Sequence, residues 1–236
     1  MGKRKITHYF GDKSVRLSLW IKFSNVINKE KIRGEVSMVT YAQGSDTVIF
    51  ILHEIYGVNK HIIRVCEKCA EYGIDVIAPN LLKGHEPFGY EQEIMAYNYF
   101  MSNVGFANSV NQVKEVLRQA RRKYKKVYLL GYSVGATITW LCTETGLCDL
   151  GIGFYGSRIR DYLAVEPKCP VLLFFPAEEK TFDVNSLILQ LRDLDQIQVE
   201  KLCGQHGFAD QFSQNYHQKA SMQACKEIMK FVKRYK

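Results

Sequence analysis

Leu129-Leu130-Gly131-Tyr132-Ser133-Val134-Gly135-Ala136 joins an apolar run beginning at Val127 to a segment whose apolar spacing becomes helical at once. That change of period across Gly-x-Ser-x-Gly describes a sharp strand-to-helix turn, which lifts its central side chain above the sheet. Gly131 and Gly135 suit such a turn because backbone crowds backbone there and a side chain would clash. The pentapeptide alone is common, and its context gives it weight. A histidine lies far downstream in Gly204-Gln205-His206-Gly207-Phe208, after the last apolar run. Ser133 is therefore a candidate nucleophile and His206 its candidate base, since a hydroxyl attacks well only when a neighbour takes its proton near neutral pH.

Outward from this turn the chain alternates. Residues 15–23 and 32–41 read as two leading strands, and Val48-Ile49-Phe50-Ile51-Leu52 is a continuous apolar run of the kind buried on both faces of a sheet. A helix over about 58–72 and a strand over 75–78 follow. Residues 83–107 break the rhythm with Gly84, Pro87 and Gly89, then an aromatic-rich stretch, and read as an irregular segment near the site. After the turn come strand patterns at 151–155, 170–175 and 197–202, and a last amphipathic helix carrying Ala220, Ala224, Ile228 and Phe231. Alternation of this kind predicts an α/β fold, a mostly parallel central sheet with helices on both faces. One domain over 1–236 is expected, with 1–45 supplying the leading strands.

Composition narrows the class. The chain of 236 residues is 47% hydrophobic, enough for a substantial core. No apolar stretch approaches the roughly 18 residues that span a bilayer, and no signal-peptide pattern opens the chain, so a cytoplasmic protein without membrane partners is expected. Seven scattered cysteines suit a reducing compartment. Cys66 and Cys69 form a Cys-x-x-Cys pair, but they continue the apolar face of Val58, Ile62 and Val65, which points to core burial rather than to a metal or redox site. The net charge of +8 lies in separated clusters with no nucleic-acid module, so neither a nucleic-acid partner nor a metal or other cofactor is expected. The run at 121–126 ends a helix, where cations complement the backbone dipole.

The chain resembles the dienelactone hydrolase family of α/β-hydrolases from about residue 46 onward. The resemblance rests on His53-Glu54-Ile55-Tyr56-Gly57-Val58-Asn59, Gly131-Tyr132-Ser133-Val134-Gly135-Ala136, Gly153-Phe154-Tyr155-Gly156 and Gln205-His206-Gly207-Phe208-Ala209, in that order. It implies an α/β-hydrolase fold and a carboxylic-ester hydrolase acting on a small ester or lactone, here with Ser133 where those enzymes carry cysteine. A thioesterase is the nearest variant. A non-catalytic protein of the same fold, binding a ligand or partner in its pocket, is the alternative of another class.

Several further roles follow from the resemblance. The acid that orients the histidine falls in the loop after the strand at 171–175, which reads Pro176-Ala177-Glu178-Glu179-Lys180-Thr181-Phe182-Asp183. Glu179 aligns best, with Glu178 and Asp183 as alternatives; Asp183 also suits a helix N-cap. The oxyanion donors are the backbone N–H groups of Ile55 and Val134. Glu54 falls beside the nucleophile, and its role next to a serine is open: bonding Ser133, positioning Ile55, repelling anions, or capping the loop. His53 lies close to the site in the same alignment. Dienelactone hydrolases hold a substrate carboxylate with two arginines; Asp210 stands where one lies and Lys83 near the other. Tyr56, Tyr132, Tyr155 and Phe208 are the candidate aromatic substrate contacts, with Phe154 beside them. The oligomeric state is not readable.

Overall fold

The computed structural model describes residues 27–32, 36–180 and 182–235. Its eight-stranded sheet has the order β1-β2-β4-β3-β5-β6-β7-β8. The strands are β1 (Ile27–Ile32), β2 (Val36–Tyr41), β3 (Thr47–Leu52), β4 (Asp75–Pro79), β5 (Lys126–Tyr132), β6 (Leu150–Phe154), β7 (Val171–Glu178) and β8 (Ile197–Gln205). β1 pairs antiparallel with β2, β2 pairs antiparallel with β4, and every other pair is parallel. The order reverses beside β3, so β3 and β5 lie at the centre of the sheet, where the carboxyl ends of parallel strands leave room for a site.

Alternation along β3 sorts its side chains between two apolar layers. Ile49 and Ile51 pack with α1 (Lys60–Ala70) and α6 (Gln218–Tyr235), through Ile62, Cys66, Ala220, Ala224 and Phe231. Val48, Phe50 and Leu52 face α3 (Phe106–Arg121) and α4 (Val134–Thr143), through Val113, Leu117, Ile138 and Cys142. The helix that follows Ser133 is buried nearly all round, which suits its apolar composition. A third cluster joins Trp140 to β7 and to α5 (Val184–Arg192). Cys66 is buried in the first of these layers and Cys69 packs against it.

The structure corrects the sequence reading in three places. The strand expected over 32–41 is divided: Ile32 ends β1 and Val36 begins β2, with the two paired antiparallel. The strand expected over 15–23 lies outside the described residues. Residues 83–107 are irregular only at their start. A 3-10 turn at Tyr90–Gln92 leads into α2 (Glu93–Tyr99), a π-helical turn at Phe100–Val104, and then α3. The physical reason is that Ala96, Phe100 and Val104 recur at i, i+4 and are all buried, an apolar helical stripe that the neighbouring aromatics obscured. The helix expected over 58–72 is shorter, because Asn59 caps it by accepting from Ile62 N at 3.2 Å.

Candidate active site

Backbone contact at the β5–α4 turn explains its glycines. A Cβ on Gly131 would lie 2.1 Å from the Gly135 carbonyl oxygen, and one on Gly135 would lie 2.2 Å from that of Leu52. The turn therefore presses directly on the end of β3. Ser133 pivots at φ 52° and ψ −115°, a costly conformation for a residue with a Cβ, and its N–H is held by Phe154 O at 2.9 Å. The partly exposed side chain stands at the carboxyl end of the sheet.

His206 Nε2 lies 3.0 Å from Ser133 Oγ, and its Nδ1 lies 3.1 Å from Glu179 Oε2. These residues come from three separate strand ends, 73 positions apart for serine and histidine and 27 for histidine and glutamate. The Glu179 carboxylate is only 6% exposed, so its field on the imidazole is weakly screened. The other two acids face elsewhere. Glu178 is exposed and accepts from Gln205 Nε2 at 3.1 Å. Asp183 caps α5, accepting from Asn185 N at 2.9 Å. An irregularity in the β7–β8 pairing between Pro176 and Glu178 changes the register just before Glu179. Asn215 Nδ2 donates to His206 O at 2.8 Å and ties down the histidine loop.

The loop after β3 carries the second set of groups. Among the described residues, neither Ile55 N–H nor Val134 N–H has an acceptor; Val134 opens α4, where the first amides have no intrahelical partner. The loop bends through the turn bond from Gly57 N to Glu54 O at 3.2 Å, with Gly57 at φ +81°. His53 does not line the site as a free imidazole. It is wholly buried, with Nδ1 2.6 Å from Glu54 O and Nε2 accepting from Leu81 N at 2.9 Å. This arrangement requires the neutral ring with its proton on Nδ1. Burial agrees, lowering its pKa to about 4.

Glu54 is 5% exposed, and burial pushes its carboxyl up to about 7. Asp210 and Glu93 add to the rise, while His206 and Tyr155 oppose it. The Tyr155 hydroxyl is buried and, among the described residues, meets no partner within hydrogen-bond geometry. Asp210, which stands where the family carries a substrate-binding arginine, is a buried and paired carboxylate. It is 1% exposed and accepts a short hydrogen bond from Tyr90 Oη, another from Phe212 N at 2.8 Å, and lies 3.4 Å from His61 Nδ1. Tyr90 and His61 went unnoticed because they sit in α1 and in the segment before α2, with Tyr90 120 residues from Asp210. No local pattern announces such a contact.

The expected aromatic contacts divide. Tyr155 packs on the His206 ring at 4.8 Å, and half-buried Tyr56 meets Tyr90 edge-on at 4.9 Å. Tyr132 and Phe208 are instead core residues: Tyr132 stacks on Phe154, and Phe208 is fully buried. Lys83 is exposed at φ 51° in the loop after β4, and it is not among the groups that shift Glu54.

A family model described as the dienelactone hydrolase family matches residues 36–236. The uncharacterized protein YczH of Bacillus subtilis is 38% identical over 165 residues, 69% of this chain and 81% of that one. The carboxymethylenebutenolidase of Pseudomonas putida is 26% identical over 136 residues, 54% of this chain; the match spans just over half of that enzyme, 57%. A putative dienelactone hydrolase from Klebsiella pneumoniae superposes with a TM-score of 0.70 at 20% identity, covering 86% of this chain and 98% of that one. At that identity the likeness concerns the fold, an α/β-hydrolase fold.

Proposed function

The chain belongs to the dienelactone hydrolase family of carboxylic-ester hydrolases, and on that premise we propose that it cleaves a small carboxylic ester or lactone through an acyl-enzyme on Ser133. The observation that carries this reading is the hydrogen-bonded chain Ser133 Oγ, His206 Nε2, His206 Nδ1, Glu179 Oε2. In the first step Ser133 Oγ attacks the ester carbon as its proton passes to His206 Nε2, and Glu179 holds the imidazole and stabilises its positive charge. The carbonyl oxygen becomes an oxyanion, which the N–H groups of Ile55 and Val134 receive. Collapse of this intermediate expels the alcohol, which takes the proton from His206. Water then releases the acid by the reverse use of the same groups.

Glu54 fits this scheme as a neighbour that is mainly neutral below about pH 7. An ionised carboxylate close to a forming oxyanion would oppose it, and burial holds the Glu54 proton on to about pH 7. The test is Ser133→Ala, assayed on a 4-nitrophenyl ester with folding checked by circular dichroism. Loss of roughly four to six powers of ten in kcat/KM is expected. A serine-directed fluorophosphonate should label the wild type once and the variant not at all. A folded wild type that resists the label, or a variant that keeps most activity, would overturn the assignment.

A further inference from the structure

The groove beside α2 has a composition at odds with the rest of the molecule. It holds about 930 Å³ and is lined by residues that include Tyr90, Glu91, Glu93, Ile94, Met95 and Tyr99. Among the described residues two carboxylates and no lysine or arginine line it, although the chain as a whole carries a net charge of +8. Its apolar part is supplied by Ile94 and Met95, which are exposed at 79% and 58%. Its Tyr90 end meets the catalytic region: Tyr90 donates to Asp210, packs on Tyr56 and receives a bond from Asn59 Nδ2 at 3.3 Å. Glu93 is within electrostatic reach of Glu54, as Asp210 and His206 are. The groove thus borders the site at Tyr90, which touches Tyr56 and Asp210, and carries Glu91 and Glu93 outward from there.

We propose that the non-reacting part of the substrate lies along this groove and bears a positive charge on an apolar body, so that the site prefers cationic esters, then neutral ones, over anionic ones. Exposed carboxylates attract such a charge, and the faces of Tyr90 and Tyr99 offer it cation–π contacts. Ile94 and Met95 cover the apolar stem. An anionic tail meets the opposite: like charges at Glu91 and Glu93, with no lysine or arginine among the described residues of the lining to offset them. The inference rests on the Ser133 hydrolase reading and adds the charge class of the substrate to it.

Three 4-nitrophenyl esters test it: hexanoate, 6-(trimethylammonio)hexanoate and the adipate half-ester. The charge sits far from the reacting carbon, and each kcat/KM is divided by the ester's own hydroxide rate. At low ionic strength a cation-to-anion ratio of about tenfold or more is expected, shrinking toward one as salt is raised to about 0.5 M. Glu91→Gln/Glu93→Gln should narrow the low-salt ratio by about threefold or more. Glu115→Gln, which changes the net charge equally from an exposed site on α3, should leave it in place. A ratio near or below one in the wild type, or one that Glu91→Gln/Glu93→Gln leaves untouched, overturns the proposal. Failure of all three esters strikes at the hydrolase reading instead, so the two ideas fail separately.

Discussion

The Ser133 turn and the helical segment from Tyr90 to Val104 border the same site and are built in opposite ways. At the turn, backbone meets backbone: the Gly131 and Gly135 positions have no room for one carbon atom. The segment before α3 is anchored from beneath by Ala96, Phe100 and Val104, while Ile94, Met95, Tyr97 and Met101 face outward. Among the described residues its side-chain hydrogen bond to the histidine loop is the one from Tyr90 to Asp210. The difference teaches how this fold divides its work. The proposed reacting groups occupy strand ends that cannot move without moving the sheet, whereas the groove wall is an added segment whose outer residues can change at small cost to stability.

Substitution in the turn should have the largest effect. Gly135→Ala places its Cβ against the Leu52 and His53 carbonyl oxygens, backbone atoms that cannot rotate away. We expect loss of soluble folded protein, or a product as inactive as Ser133→Ala, read by expression yield and thermal melting. Ordinary stability and activity in Gly135→Ala would break the contrast outright.

Next in size is the acid. Glu179→Ala should lower kcat by roughly 10³–10⁴-fold, because nothing then holds His206 in the tautomer that accepts from serine. Glu178→Ala should change it by less than about threefold, since that side chain bonds only Gln205 at an exposed edge. Asp183→Ala should cost about 1 kcal/mol of stability through its lost cap, with little effect on kcat. Steady-state kinetics on the three variants decides the order, and a dominant loss at Asp183 would contradict it.

Buried titratable groups give a third contrast, this time in pH. Between its ordinary carboxylate value of 4.5 and its folded value of about 7, Glu54 holds a proton that the unfolded chain has lost. Its contribution to stability is therefore present at low pH and falls as pH rises through that window, by up to about 3 kcal/mol. His53 and His61, each lowered by burial from 6.5 to about 4, act in the other direction. Their contribution is complete above pH 6.5 and is lost as pH falls. Glu54→Gln should remove the alkaline loss and leave the acid loss, as measured by urea midpoints at pH 4, 6 and 8. A variant whose profile parallels the wild type would rule out Glu54 as the source.

The smallest expected effect belongs to the segment's link. Tyr90→Phe removes one donor from the buried Asp210, which keeps its bond from Phe212 N. A cost of about 1–2 kcal/mol is expected. Faster hydrogen exchange should be confined to residues 90–104, with the turn unaffected. Equal loosening at the turn would show that the two regions are one cooperative unit.

The Ser133 turn, the central strands and the histidine loop were legible in the residues because each follows from local physics. Gly-x-Ser-x-Gly must crowd backbone, continuous apolar runs must be buried, and a glycine-flanked histidine after the last strand must lie in a loop. The helical spacing of Ala96, Phe100 and Val104 was present in the residues too, but the neighbouring aromatics hid it and 83–107 read as irregular. Other features depended on folding the whole chain. Which of three neighbouring acids reaches His206 was decided by the altered β7–β8 register at Pro176 and Glu178. That His53 is consumed by two backbone bonds was decided by the approach of Leu81. That Asp210 is paired, and Tyr132 and Phe208 are core, was decided by elements far away in the chain. Local pattern reports backbone conformation and the sidedness of burial. Hydrogen-bond partners and charge environments are set by contacts between distant segments, and those exist only once the sheet has assembled.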